Sequence, residues 1–86
     1  IIKKQIIRSS TSVAANYRVM CRARSNKEKY AKICIVVEEL DETVFWLELL
    51  DDLKILPSTK VNELKNEADE ILKVTSSYKK KLSTSL

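Results

Sequence analysis

Four hydroxyl residues in a row, Ser9, Ser10, Thr11 and Ser12, follow Arg8 near the start of this chain. A serine acts as a nucleophile only beside a base that takes its proton. The chain has no histidine, which excludes a Ser-His-Asp arrangement, and no lysine stands out as buried. Clustered small side chains instead let a neighbouring helix come close, and that packing role is the stronger reading. Asn16, one helical turn beyond Ser12, reads as an amide bridging two helices. Glu39 and Glu42 flank Leu40 on a second segment, and paired carboxylates on one helix can hold a metal. The di-metal sites of helical bundles, however, need Glu-x-x-His motifs. Arg8, Ser12, Asn16, Glu39 and Glu42 therefore read as a buried ion-pair and hydrogen-bond network that sets helix register.

A second chemistry is electrostatic. Arg18, Arg22, Arg24, Lys27, Lys29 and Lys32 gather within fifteen positions, and Arg18 and Arg22, four apart, share a helix face. Such a set suits phosphate contacts to RNA or DNA that weaken steeply with salt. No base-reading motif accompanies it, so binding would be largely independent of sequence. The plainer readings are a solvated surface, or a partner for the acidic run from Glu38 to Asp52. Phe45 and Trp46 would suit base stacking. Beside Val44 and Leu47, and with Leu49, they read instead as interface anchors.

Composition narrows the remaining classes. The formal net charge is +4, but residues 1–32 hold nine Lys/Arg against Glu28 alone, residues 33–53 hold seven acids and no base, and residues 54–86 hold seven lysines against four acids. Basic ends around an acidic middle favour pairing of the middle with either end, within or between chains. With no glycine there is no P-loop, no dinucleotide-binding turn and no tight primed hairpin. Cys21 and Cys34 lack metal-ligand spacing and read as reduced, buried small hydrophobes. No cofactor or small-molecule substrate is implied. No apolar run approaches the roughly 18 residues of a membrane span, and Ile1-Ile2 is interrupted too soon by Lys3-Lys4 for a signal peptide. A cytoplasmic protein is expected.

These residues must be positioned by helices, since no segment alternates as a strand does. Ile2, Ile6, Ser9, Val13, Asn16/Tyr17 and Met20 recur at steps of three and four, predicting a first helix over about 2–24. Ser25-Asn26-Lys27-Glu28 matches the capping box and opens a second helix over about 26–54, striped by Tyr30, Ile33, Val37, Leu40, Val44, Leu47, Leu50 and Leu53. Pro57 ends that path. A third helix over about 59–82, capped by Ser58 or Thr59, carries Val61, Leu64, Ala68, Ile71, Thr75, Tyr78 and Leu82 in a heptad-like seam. Lys79, Lys80 and Lys81 complement its C-terminal dipole. Short connections imply antiparallel neighbours, so residues 1–86 are expected to form one all-α, up-down bundle. The middle helix is apolar beyond one stripe, at Ile35, Val36, Phe45, Trp46 and Leu49. It calls for cover from a further helix or another subunit.

Three blocks carry a resemblance: Gln5-x-x-Arg8-Ser9-x-Thr11-Ser12-Val13-x-Ala15-Asn16, then Arg22-Ala23-Arg24-Ser25, then Glu39-x-x-Glu42-Thr43-x-Phe45-Trp46-Leu47-Glu48-Leu49-Leu50. From Gln5 to about Leu82 the chain resembles the four-helix bundle family of 23S rRNA intervening-sequence proteins. The accessory protein of diversity-generating retroelements is similar to that family. The resemblance implies that the three helices correspond to helices 2–4 of a four-helix bundle, with a family helix before Gln5 missing and the chain beginning inside a helix. It also implies a small bacterial protein that assembles as a homopentamer, and nucleic-acid binding through a basic surface. Val19 stands where the family usually has Glu. Most members have no established activity, so the expected function is a non-enzymatic, oligomeric bundle with nucleic-acid contact. The alternative is a protein–protein interaction module without it.

Overall fold

Ser25 takes an extended backbone (φ −134°, ψ 157°), and its Oγ accepts the N–H of Glu28 at 3.1 Å. Glu28 reaches back to the N–H of Arg24 at 3.3 Å, one residue before the expected Ser25. The chain must leave the first helix before this cap. Arg22 and Ala23 accordingly close tight turns onto Val19 and Met20, a common way to satisfy the last carbonyls. The computed structural model, which describes all 86 residues, places α1 at Ile2–Cys21, α2 at Asn26–Asp52 and α3 at Ser58–Ser83. The first helix thus stops three residues short of Arg24.

Between α2 and α3 the chain turns without glycine. Lys54 sits at φ 56°, Ile55 N–H bonds Leu50 O at 3.1 Å, and Lys54 N–H bonds Asp51 O at 3.0 Å. These are the two bonds of a Schellman C-cap, whose left-handed position usually holds glycine. Pro57, not Ser58 or Thr59, is the N-cap of α3 (φ −58°, ψ 137°), and no side chain caps it. Proline supplies the non-helical residue, which frees Ser58 to donate its hydroxyl to Asp51 Oδ1 at 2.7 Å.

α2 is the centre of the molecule. α1 and α3 each pack antiparallel along it, but no Cα of α1 comes within 8 Å of one in α3. Three small apolar clusters run down the 43 Å long axis. Met20, Ile33, Val36 and Leu82 lie at one end, Leu40, Val44 and Ala68 in the middle, and Leu47, Leu50 and Val61 at the other. Ala68 and Ser9 keep helices close where a larger residue would hold them apart. Between α1 and α3 an open trough remains, floored by Val36, Leu40 and Leu47 of α2. Cavities of about 470 and 380 Å³ lie along it, and Ile71 and Val74 on its α3 wall are 49% and 69% exposed.

Candidate functional site

Arg8 on α1 stands opposite one turn of α2. Its guanidinium donates to Glu39 Oε2 at 3.2 Å and, more closely, to Glu42 Oε1, while Nε donates to Gln5 Oε1 at 3.0 Å. Trp46 Nε1–H donates to the same Glu42 oxygen at 3.2 Å. The hydrogen bond from Arg8, with that from Trp46 adding, holds the Glu42 carboxyl below its usual range, and Glu42 raises the Arg8 guanidinium in turn. The expected burial is corrected. The Arg8 side chain is 46% exposed and that of Glu39 21%, so water screens the charges in the single chain. The positions lie on the flank of the helix pair rather than on the stripe, one step from Ser9 and Leu40.

Ser12 and Asn16 do not join this cluster. Asn16 Nδ2 donates to Ser12 O at 2.9 Å and to Ser12 Oγ at 3.2 Å, so the amide stays on α1 instead of bridging helices. A side chain four residues back satisfies it more readily than a partner across the interface. From the hydroxyl run, the contact that crosses is between Ser9 and Thr43, hydroxyl to hydroxyl at 2.8 Å. Thr43 lay inside the quoted Glu42-Thr43 block, and its place three residues beyond Leu40 on the core stripe was the signal. Ser10 and Thr11 bond back to carbonyls of α1. All four hydroxyl residues therefore serve helix packing or the helix itself.

On the outer side of α2, Phe45 is 56% exposed and meets Trp46 edge-on, with ring centroids 5.0 Å apart. Trp46, Leu49 and Ile35 are half-buried. The chain itself covers that face only in part. Cys21, expected to be buried, is exposed, and Cys34 is half-buried; both are free thiols. The stripe residue at the end of α1 is Met20, and Cys21 lies a third of a turn away from it.

The basic set gathers where α1 ends and α2 begins. Arg18, Arg22, Arg24 and Lys27 are exposed, and Lys29 and Lys32 are half-buried. The chain's four ion pairs all involve Arg8, Lys60 or Lys65, and none involves these six cations. A shallow cavity there is lined by Arg22, Arg24 and Lys32 with Glu28. The only acid among residues 17–37 is Glu28, and its carboxylate accepts the backbone N–H of Arg24. Nowhere do three His, Cys, Asp or Glu side chains gather as a metal site requires, and no helix is long and apolar enough to cross a membrane.

Such a structure defines a class: an all-α protein of antiparallel helices, joined by a polar contact between α1 and α2 and carrying one basic end. The sequence model of the family described as 23S rRNA-intervening sequence protein matches residues 1–77, and the chain belongs to that family. It is similar to a solved protein of unknown function from the S23 ribosomal protein family of Bacteroides thetaiotaomicron. The two are 35% identical and superpose with a TM-score of 0.89; the match covers 93% of this chain and 71% of the other. No curated protein matches the chain.

Proposed function

We propose that this chain is a non-catalytic, self-assembling helical-bundle protein that holds nucleic acid through its basic end. One observation carries the reading: Arg18, Arg22, Arg24, Lys27, Lys29 and Lys32 surround the α1–α2 turn with no ion-pair partner. Unpaired cations crowded together repel one another and are relieved by a polyanion. Phosphate contacts would supply the affinity without reading sequence. Assembly would multiply weak contacts by raising the effective concentration of neighbouring sites. The partly covered face of Phe45, Trp46 and Leu49 supports assembly, and the family resemblance favours five copies. A cytoplasmic setting accords with the two free thiols.

The test is retention of random RNA and duplex DNA at low salt, repeated with Arg18, Arg22 and Arg24 changed to Glu. Binding that the substitutions abolish supports the reading, and no binding by the unaltered chain at low salt sinks it. In that event the second reading stands: a protein–protein module in which the basic segment of one copy pairs with Glu38, Asp41 and Asp52, which are exposed on α2 of another.

A further inference from the structure

We infer that Lys79, Lys80 and Lys81 of α3 belong to the same polyanion surface, so that nucleic acid lies across the end of the bundle and touches all three helices. The inference rests on the nucleic-acid reading above and extends it to an element that reading does not use. Local sequence offers only a dipole role for these lysines, because three cations in a last turn face the negative end of their own helix. The packing adds a second role. Leu82 is buried with Met20, Ile33 and Val36, and Tyr30 packs against that cluster. This seats the last turn of α3 beside the end of α1 and the start of α2.

The fold thereby converts three charge segments into two poles. The half of the molecule made of residues 12–38 and 71–86 holds ten Lys/Arg against two acids. The other half holds six Lys/Arg against ten acids. Lys80 and Lys81 are exposed and Lys79 is half-buried. Like the six cations of α1 and α2, they make no ion pair. A duplex crossing the 21 Å width of the bundle presents about 12 phosphates over that length, roughly half of them facing away. A pole of nine cations from three helices spans such a strand better than six cations from one turn.

The test is the salt dependence of binding to random-sequence duplex DNA. For the variant carrying Lys79→Gln, Lys80→Gln and Lys81→Gln together, the slope of log Kobs against log salt should become shallower by about 2 to 3. A variant with Lys3→Gln and Lys4→Gln, at the opposite pole, should keep the original slope. The Lys→Arg triple should restore it. An unchanged slope in the Gln triple, with binding still abolished by the Arg18, Arg22 and Arg24 substitutions, overturns this inference and leaves the nucleic-acid reading in place. No binding by the unaltered chain overturns both. If the Gln triple loses helicity, acylation of the unaltered chain decides: Lys79 to Lys81 should be protected when DNA is bound, and equal labelling with and without DNA overturns the inference.

Discussion

Ser9 and Thr43 meet hydroxyl to hydroxyl at 2.8 Å across the α1–α2 interface, in a place where Ser9 has no solvent exposure at all. Thr43 Oγ1 also lies 2.9 Å from Glu39 O, and Ser9 Oγ 3.3 Å from Ile6 O. Two hydroxyl protons thus serve three contacts, and no buried side-chain polar atom in the molecule lacks a partner. Size matters here more than hydrogen bonding. Ser9→Leu forces extra volume between two helices and should cost about 1–3 kcal/mol. Ser9→Ala keeps the close approach and should cost about 1 kcal/mol. Thermal unfolding followed by circular dichroism separates the two, since each kcal/mol moves Tm by roughly 4–8 °C in a domain of this size.

Lys54 pays a backbone penalty that no side-chain contact repays. A non-glycine residue in the left-handed region costs roughly 1–2 kcal/mol, and Lys54 is exposed at φ 56°. Lys54→Gly keeps both Schellman hydrogen bonds and should stabilise the chain, less the extra chain entropy that glycine loses on folding. The expected net gain is about 0.5–1 kcal/mol, read as a higher denaturant midpoint with an unchanged m-value. An unchanged or lower midpoint would show that the turn is not strained.

The Arg8–Glu42 contact sets a direction for acid sensitivity. The folded carboxyl titrates below its unfolded value, so its ionised form favours the folded state. That contribution is present above the unfolded value of about 4.3 and is lost as pH falls through the lower folded value. Unaltered chain should therefore lose more stability than Glu42→Gln as pH falls below about 4.3. The difference should shrink in high salt, because both side chains are partly exposed and screened. Equal acid sensitivity in the two proteins would count against the contact.

Phe45, Trp46 and Leu49 yield a prediction about assembly. Replacing Trp46 with Asp places a charge on the proposed interface and removes its aromatic anchor. Light scattering should then report monomer where the unaltered chain is oligomeric, with helicity retained, because Trp46 is only half-buried in the chain itself. Arg8→Met should act in the same direction if the exposed ion pair is covered on assembly. A monomeric unaltered chain would remove the interface altogether.

Most of the fold was legible in local sequence. The stripe through Ile33, Leu40, Val44 and Leu47 and the Ser25 cap follow from helical period and capping chemistry, which act within a few residues. The partnership of Arg8 with Glu39 and Glu42 was legible as well, through the family blocks. What local sequence could not resolve was lateral placement. Asn16 found a nearer partner in Ser12 than any across the interface. Arg8 lay a third of a turn off the buried stripe, which left its ion pair wet. Lys79 to Lys81 were separated from Arg18 by sixty positions, and only the parity of three antiparallel helices brings them to one end.

Because only α2 has its backbone close to both neighbours, the molecule is a spine with two leaves. Each leaf packs mainly on α2, and the two share side chains only in the common clusters, as Met20 and Leu82 do. Amide exchange should therefore grade along this plan, slowest in α2 at Ile33 to Leu47 and faster in α1 and α3. Close backbone approaches also join only helices that are adjacent in the chain, so folding need close mostly short loops and should be fast.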